Sequence, residues 1–116
     1  MNHQAEHQRQ AIRAAILRQP QSPLVFEDAS LELPHANEVL VRMVATGVCH
    51  TDMVVRDQMY KTAMPMILGH EGAGVVEQVG ADVTTVAVGD HVVLTYAYCG
   101  LCAPCATGHP AHCEHM

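Results

Sequence analysis

Cys99-Gly100-Leu101-Cys102-Ala103-Pro104-Cys105-Ala106-Thr107-Gly108-His109-Pro110-Ala111-His112-Cys113 has no hydrophobic period, and its two glycines and two prolines interrupt any regular element. A stretch of this kind cannot pack a core of its own, so something other than burial must order it. Its four thiols, spaced Cys-x2-Cys-x2-Cys-x7-Cys, can converge as thiolates on one tetrahedral ion at about 2.3 Å each. Four sulfurs leave no coordination site open, so the spacing implies a structural zinc that replaces the missing hydrophobic core. An iron–sulfur cluster is a rival, since it shares the opening Cys-x2-Cys-x2-Cys. That pattern continues with three residues and Cys-Pro, however, whereas here seven residues intervene and Glu114 follows. Disulfides would have to close several short loops in a chain with five cysteines and no secretion signal. His109, His112 and His115 lie close enough to replace a sulfur, though four Cys already satisfy an ion.

Upstream of this lobe, Ile12–Leu17, Leu24–Glu27 and Glu38–Ala45 are short apolar or alternating runs separated by Pro20, Pro23 and Pro34, and they read as strands joined by turns. Gly72–Val79 and His91–Tyr96 are Val-rich strands that bracket the turn residues Gly80-Ala81-Asp82 and Gly89-Asp90. Between the two sets, Cys49–Asp57 reads as a short helix started by Thr51 and Asp52, with Met53, Val54 and Val55 turned inward. Phe26 and three tyrosines are the only large rings, so Val, Leu, Ile and Met must fill the interior, which favours a Val-rich β core. Met1–Gln10 is polar and Gln/His-rich, and is expected to be a disordered tail, with the fold beginning near Ile12. The expected class is mainly β with short helices: one domain over residues 11–116, with the metal-stapled lobe over 97–116.

At 116 residues the chain is about one domain long, with a net charge of −6 and no basic run, so it lacks the cationic footprint that a phosphate backbone requires. No apolar stretch approaches the roughly 20 residues needed to span a bilayer, and the start of the chain is not a signal segment. A soluble, cytoplasmic protein without nucleic-acid or membrane partners is expected. Gly72-Ala73-Gly74 is not read as a dinucleotide loop, because Glu77 stands where the third glycine belongs.

With four cysteines assigned to the lobe, Cys49 is left over at the start of the expected helix, and a helix amino terminus favours the metal-binding thiolate. A lone Cys is otherwise most often a small buried hydrophobe. In Gly69-His70-Glu71-Gly72-Ala73-Gly74, glycines let the backbone crowd around a His and a Glu. A catalytic zinc usually takes three protein ligands, so Cys49 with His70 makes a site one ligand short. On residue types alone, a catalytic metal site and a pair of packing residues in a stand-alone zinc-binding or interaction module both stay open.

Taken together, Gly47-Val48-Cys49-His50-Thr51-Asp52, Gly69-His70-Glu71-Gly72-Ala73-Gly74-Val75-Val76, Gly89-Asp90-His91-Val92-Val93 and the four-Cys lobe resemble, in order and separation, the zinc-dependent medium-chain alcohol dehydrogenases. The resemblance covers roughly Ile12 to Met116, with the aryl or benzyl alcohol dehydrogenases the most similar branch. It implies a GroES-like, partly open β barrel with a zinc-stapled lobe and no Rossmann domain in this chain. It also implies a structural zinc on Cys99, Cys102, Cys105 and Cys113, and a catalytic zinc on Cys49 and His70.

Under that resemblance Asp52 would hydrogen-bond the free ring nitrogen of His70, and Glu71 would stand beside the ion as a transient ligand. His50 would face the cofactor pyrophosphate, and Thr51 would pass the alcohol's proton outward. The implied reaction oxidises a primary or aryl alcohol to an aldehyde with NAD or NADP, in a full-length homodimer or homotetramer. Val54 departs from the pattern, since many relatives place a proton-relaying His there. The family's third catalytic-zinc ligand, a Cys well downstream, and its cofactor domain lie beyond Met116. A fragment of a longer enzyme, inactive by itself, is therefore expected.

Overall fold

The computed structural model describes residues 8–115. Two three-stranded sheets make up most of it, and every pairing is antiparallel. The first sheet has the order β2-β1-β4, from β1 (Arg9–Leu17), β2 (Val25–Glu32) and β4 (Met66–Ile67). The second has the order β3-β5-β6, from β3 (Val39–Thr46), β5 (Gly72–Val79) and β6 (His91–Val93). One seven-residue helix, α1 (His50–Arg56), follows β3, while the lobe carries a four-residue helix, α2 (Ala103–Ala106), and a 3-10 turn at Pro110–His112. The architecture is thus mainly strand with a few short helices and open sheets, and no parallel βαβ unit occurs among the described residues.

Most of the expected strands are present with shifted ends. β1 starts at Arg9, so Arg9 and Gln10 belong to the sheet, paired with Glu32 and Leu31, and not to a tail. The rest of the expected tail, Met1–His7, lies outside the described residues. β2 runs on to Glu32 because β1 offers an unbroken ladder, closed by the Arg9–Glu32 ion pair at 3.0 Å. As an edge strand it needs no apolar alternation to be held, which is why its polar half, Asp28–Glu32, did not read as strand. β6 stops at Val93: the last ladder bond is Leu94 N–H to Gly72 O at 2.8 Å, and the chain then leaves for the lobe. The two-residue β4, paired with Ile16 and Leu17, is too short to leave a periodic signal.

Leu17 and Val76 are the large side chains fully buried among the described residues, joined by Ala14 and Leu40. The Val-rich core expected from composition is therefore smaller and more mixed than anticipated. Val44, Val48, Val88 and Val93 are exposed, because the faces they occupy have nothing packed on them within the described residues. No helix among the described residues is long and apolar enough to cross a membrane.

Candidate metal centres

Antiparallel pairing of β3 with β5 places Thr46 opposite Gly72. One step further along both strands, Gly47 donates its N–H to the carbonyl of Glu71 at 2.9 Å. The residues leaving β3 therefore meet the residues entering β5, and Cys49 arrives at His70 although 21 positions separate them, with Sγ 3.2 Å from Nε2. Two register shifts in β3, at Leu40/Val41 and Met43/Ala45, set where this meeting falls.

Cys49 itself caps α1. Its Sγ accepts the Thr51 N–H at 3.3 Å, and the Asp52 carboxylate reaches back to accept the Cys49 N–H at 2.8 Å. This is the reciprocal capping arrangement in which two otherwise unpaired amide groups at the helix start are satisfied. Thr51 and Asp52, expected as the starting residues, sit inside the first turn, and the cap is the cysteine. Asp52 is also the one buried charged residue among those described, at 5% exposure. Its second oxygen stands 3.7 Å from His70 Nδ1, beyond hydrogen-bond length yet close enough to hold that face of the ring by charge. The imidazole is thus oriented with Nδ1 toward the carboxylate and Nε2 toward the thiol.

A third donor joins the pair. Glu71 Oε1 lies 3.6 Å from His70 Nε2, and the donor atoms of Cys49, His70 and Glu71 all fall within 4.8 Å of one another. With this carboxylate beside the Cys49–His70 pair, the chain brings together three candidate donors, the number usual for an open zinc site. Sulfur, imidazole and carboxylate are also donors that zinc accepts together. His50 and Thr51 are exposed on the first turn of α1, and Val54 is half-buried further along it.

Sequence reading missed Tyr96. Its ring stacks on His70 with centroids 5.0 Å apart and planes 16° from parallel. The β5–β6 register explains this, because Ala73 faces Val93 and three further steps on both chains set His70 against Tyr96. Tyr96 stands in the run assigned to a sixth strand, but no local pattern marks it as a neighbour of His70. Crowding by glycines takes a different form from that expected. A side chain at Gly74 would meet the backbone of Arg42 at 2.3 Å, so this glycine serves the close approach of β3 and not the space around the histidine.

The second cluster is the lobe. Sγ atoms of Cys99, Cys102, Cys105 and Cys113 lie within 4.8 Å of one another, and Cys102 and Cys105 are 3.4 Å apart. Tetrahedral zinc–thiolate bonds of about 2.3 Å would set sulfurs roughly 3.8 Å apart, so the four fit one ion. All five cysteines are free. Backbone N–H groups aim at the sulfurs: Leu101 and Cys102 donate to Cys99 Sγ at 3.4 and 3.3 Å, and Cys99 and His115 donate to Cys113 Sγ at 3.4 and 3.3 Å. Amides of Glu114 and Cys105 bring the Cys102 thiol down to about 6, whereas burial pushes Cys105 up to about 12. Amide donors of this kind favour thiolates. His109, His112 and His115 are exposed and stand outside the four-sulfur group.

The model of the alcohol dehydrogenase GroES-like domain matches residues 35–116. Geraniol dehydrogenase from Castellaniella defragrans is 47% identical over 104 residues, covering 90% of this chain and 28% of that protein. Among solved structures, an alcohol dehydrogenase zinc-binding domain protein from Burkholderia ambifaria superposes with a TM-score of 0.91 at 56% identity, over 93% of this chain and 29% of its own. Benzyl alcohol dehydrogenase from Acinetobacter calcoaceticus does so with a TM-score of 0.81 at 49% identity, over 91% and 29%. The chain therefore spans under a third of the length of the relatives it matches.

Proposed function

We propose, from the premise that this chain belongs to the alcohol dehydrogenase GroES-like domain family, that it is the zinc-holding catalytic domain of an alcohol dehydrogenase. The enzyme would oxidise a primary or aryl alcohol to its aldehyde with NAD or NADP. The observation that carries this reading is the convergence of Cys49, His70 and Glu71 from two separate strand ends onto one point. Similarity to a geraniol and a benzyl alcohol dehydrogenase supports an allylic or aryl alcohol as substrate.

Cys49 Sγ and His70 Nε2 would hold the catalytic zinc, with Glu71 as a third donor from this chain, and the four lobe sulfurs would hold a structural one. Zinc held there would supply a Lewis acid that lowers the pKa of a substrate hydroxyl, and a nicotinamide cofactor would supply the hydride acceptor. This chain's own side chains prepare and drain the site. The Asp52 carboxylate keeps the His70 ring turned so that Nε2 faces the metal position. Thr51, tied through its backbone N–H to Cys49 Sγ and exposed on the first turn of α1, is the residue that would take the alcohol's proton. Val54 has no atom that carries a proton, so within this domain the relay ends at Thr51. His50, exposed at the start of α1, would meet the cofactor pyrophosphate. By itself the chain would turn over no alcohol, since among the described residues the sheets are antiparallel and no βαβ unit of the kind that cradles a dinucleotide occurs. The whole enzyme is a cytoplasmic homodimer or homotetramer, a compartment in keeping with five free thiols.

Metal analysis tests the reading. A preparation grown with zinc should be colourless and contain one firmly held zinc per chain, plus a second that dialysis against a weak chelator removes. A brown protein with bound iron and sulfide would replace the structural-zinc assignment by an iron–sulfur cluster. The stacked ring gives a smaller test. An aromatic contact contributes about 0.5–1.5 kcal/mol, so Tyr96→Leu should weaken the labile zinc about threefold in competition with a fluorescent chelator. Tyr96→Phe should bind as the parent does.

A further inference from the structure

Gly47 lies at the site and supplies it no donor. Its backbone dihedrals lie outside the left-handed region, so the conformation there does not require glycine. What the position does require is space. A Cβ at residue 47 would stand 2.1 Å from Glu71 Oε2, 3.1 Å from Glu71 Cβ and 3.2 Å from Glu71 Cδ. The two residues face each other across the end of the β3–β5 pair, held by the 2.9 Å bond from Gly47 N–H to the Glu71 carbonyl. The Glu71 side chain folds back over this point, and in that posture its Oε1 stands 3.6 Å from His70 Nε2.

We propose that Gly47 is a positioning residue: the empty space at its Cα seats the Glu71 carboxylate, and so gives the Cys49–His70 metal position its third donor. The proposal rests on the reading of Cys49 and His70 as metal ligands. A methyl group at 47 would keep the backbone and evict the carboxylate. That outcome is favoured because the nearest clashing atom is the free end of a side chain that is 46% exposed and has somewhere to go.

Cobalt(II) titration of the chain with zinc already in the lobe tests this, since cobalt takes the same donors and, unlike zinc, absorbs visibly. In the parent protein the thiolate-to-cobalt band reports Cys49, and the ligand-field bands report the donor set. Gly47→Ala should weaken cobalt about tenfold and shift the ligand-field bands while keeping the thiolate band. Glu71→Ala should do the same, and the double variant should lose nothing beyond either single one, because both act through one carboxylate. Parent-like binding by Gly47→Ala, or additive losses in the double variant, would overturn the proposal. If Gly47→Ala folds poorly by circular dichroism, adding Glu71→Gly, which removes both the clashing carboxylate and the Cβ 3.1 Å away, should restore the fold, and failure to do so equally refutes the proposal. Cys49→Ser separates the underlying reading: a thiolate band that survives there removes Cys49 as ligand, whatever Gly47 does.

Discussion

Stripping the lobe of its metal is expected to release one zinc per chain and to abolish amide protection over residues 97–115. The ladders β1–β2 and β3–β5 should keep theirs. Nothing apolar holds the lobe together: Leu101 is 88% exposed, and its short helices α2 and Pro110–His112 contain no buried residue. Structural zinc in small thiolate sites contributes apparent binding energy on the order of 10–16 kcal/mol near pH 7, far more than a few backbone turns could replace. Hydrogen exchange before and after chelation is the measurement, and unchanged protection in metal-free protein would remove the structural assignment. Affinity should also fall with pH, and the sign follows from the thiols. Zinc must displace the proton from Cys105, pushed up to about 12, at any ordinary pH, whereas Cys102, brought down to about 6, is already thiolate at neutrality. Below about pH 6 Cys102 becomes protonated too, and each competing proton weakens apparent affinity about tenfold per pH unit. Zinc release should therefore steepen on the acid side of neutrality.

Cys49→Ser, placed in an enzyme that joins this domain to a nicotinamide-binding one, is expected to lower kcat/KM for alcohol oxidation by at least about a thousandfold. A metal acting as Lewis acid supplies several kcal/mol of charge stabilisation, and each 1.36 kcal/mol is about a factor of ten in rate. The change removes the soft donor 3.2 Å from His70 Nε2 and the sulfur that accepts the Thr51 N–H, but leaves the Asp52 cap on residue 49, which acts through the backbone. Helix α1 and the lobe zinc should thus survive while turnover is lost. Steady-state kinetics with a benzylic alcohol checks this, and undiminished turnover would end the catalytic assignment of Cys49.

How legible these features were in the chain follows from how far each one reaches. The four-sulfur cluster sits within fifteen residues, and its spacing alone set the ligands together as the structure does. The short helix after Gly47 was also legible, because Thr51, Asp52 and the apolar group Met53–Val55 lie within about one turn of each other, although the cap itself proved to be Cys49. Strand ends were less so. β2 extends through polar residues because a neighbour holds it, and β6 stops early because its neighbour ends. Hydrophobic pattern records which faces are buried and carries little about an edge strand whose faces are mostly wet.

Residue types and local spacing by themselves determined which candidate donors this protein has, and that the last part of the chain has too little apolar pattern to pack a core of its own. Such features depend on chain distances of a few residues, over which the backbone has little freedom to do anything else. Only the tertiary structure decided that Tyr96 covers the imidazole and that Gly47 leaves room for the Glu71 carboxylate, whose place beside Cys49 and His70 the family resemblance had already implied. Each of these follows from the register of β3, β5 and β6, strands separated by tens of residues. A slip of one position would turn every side chain to the opposite face, and no short window of sequence contains the bulges and partner contacts that prevent it.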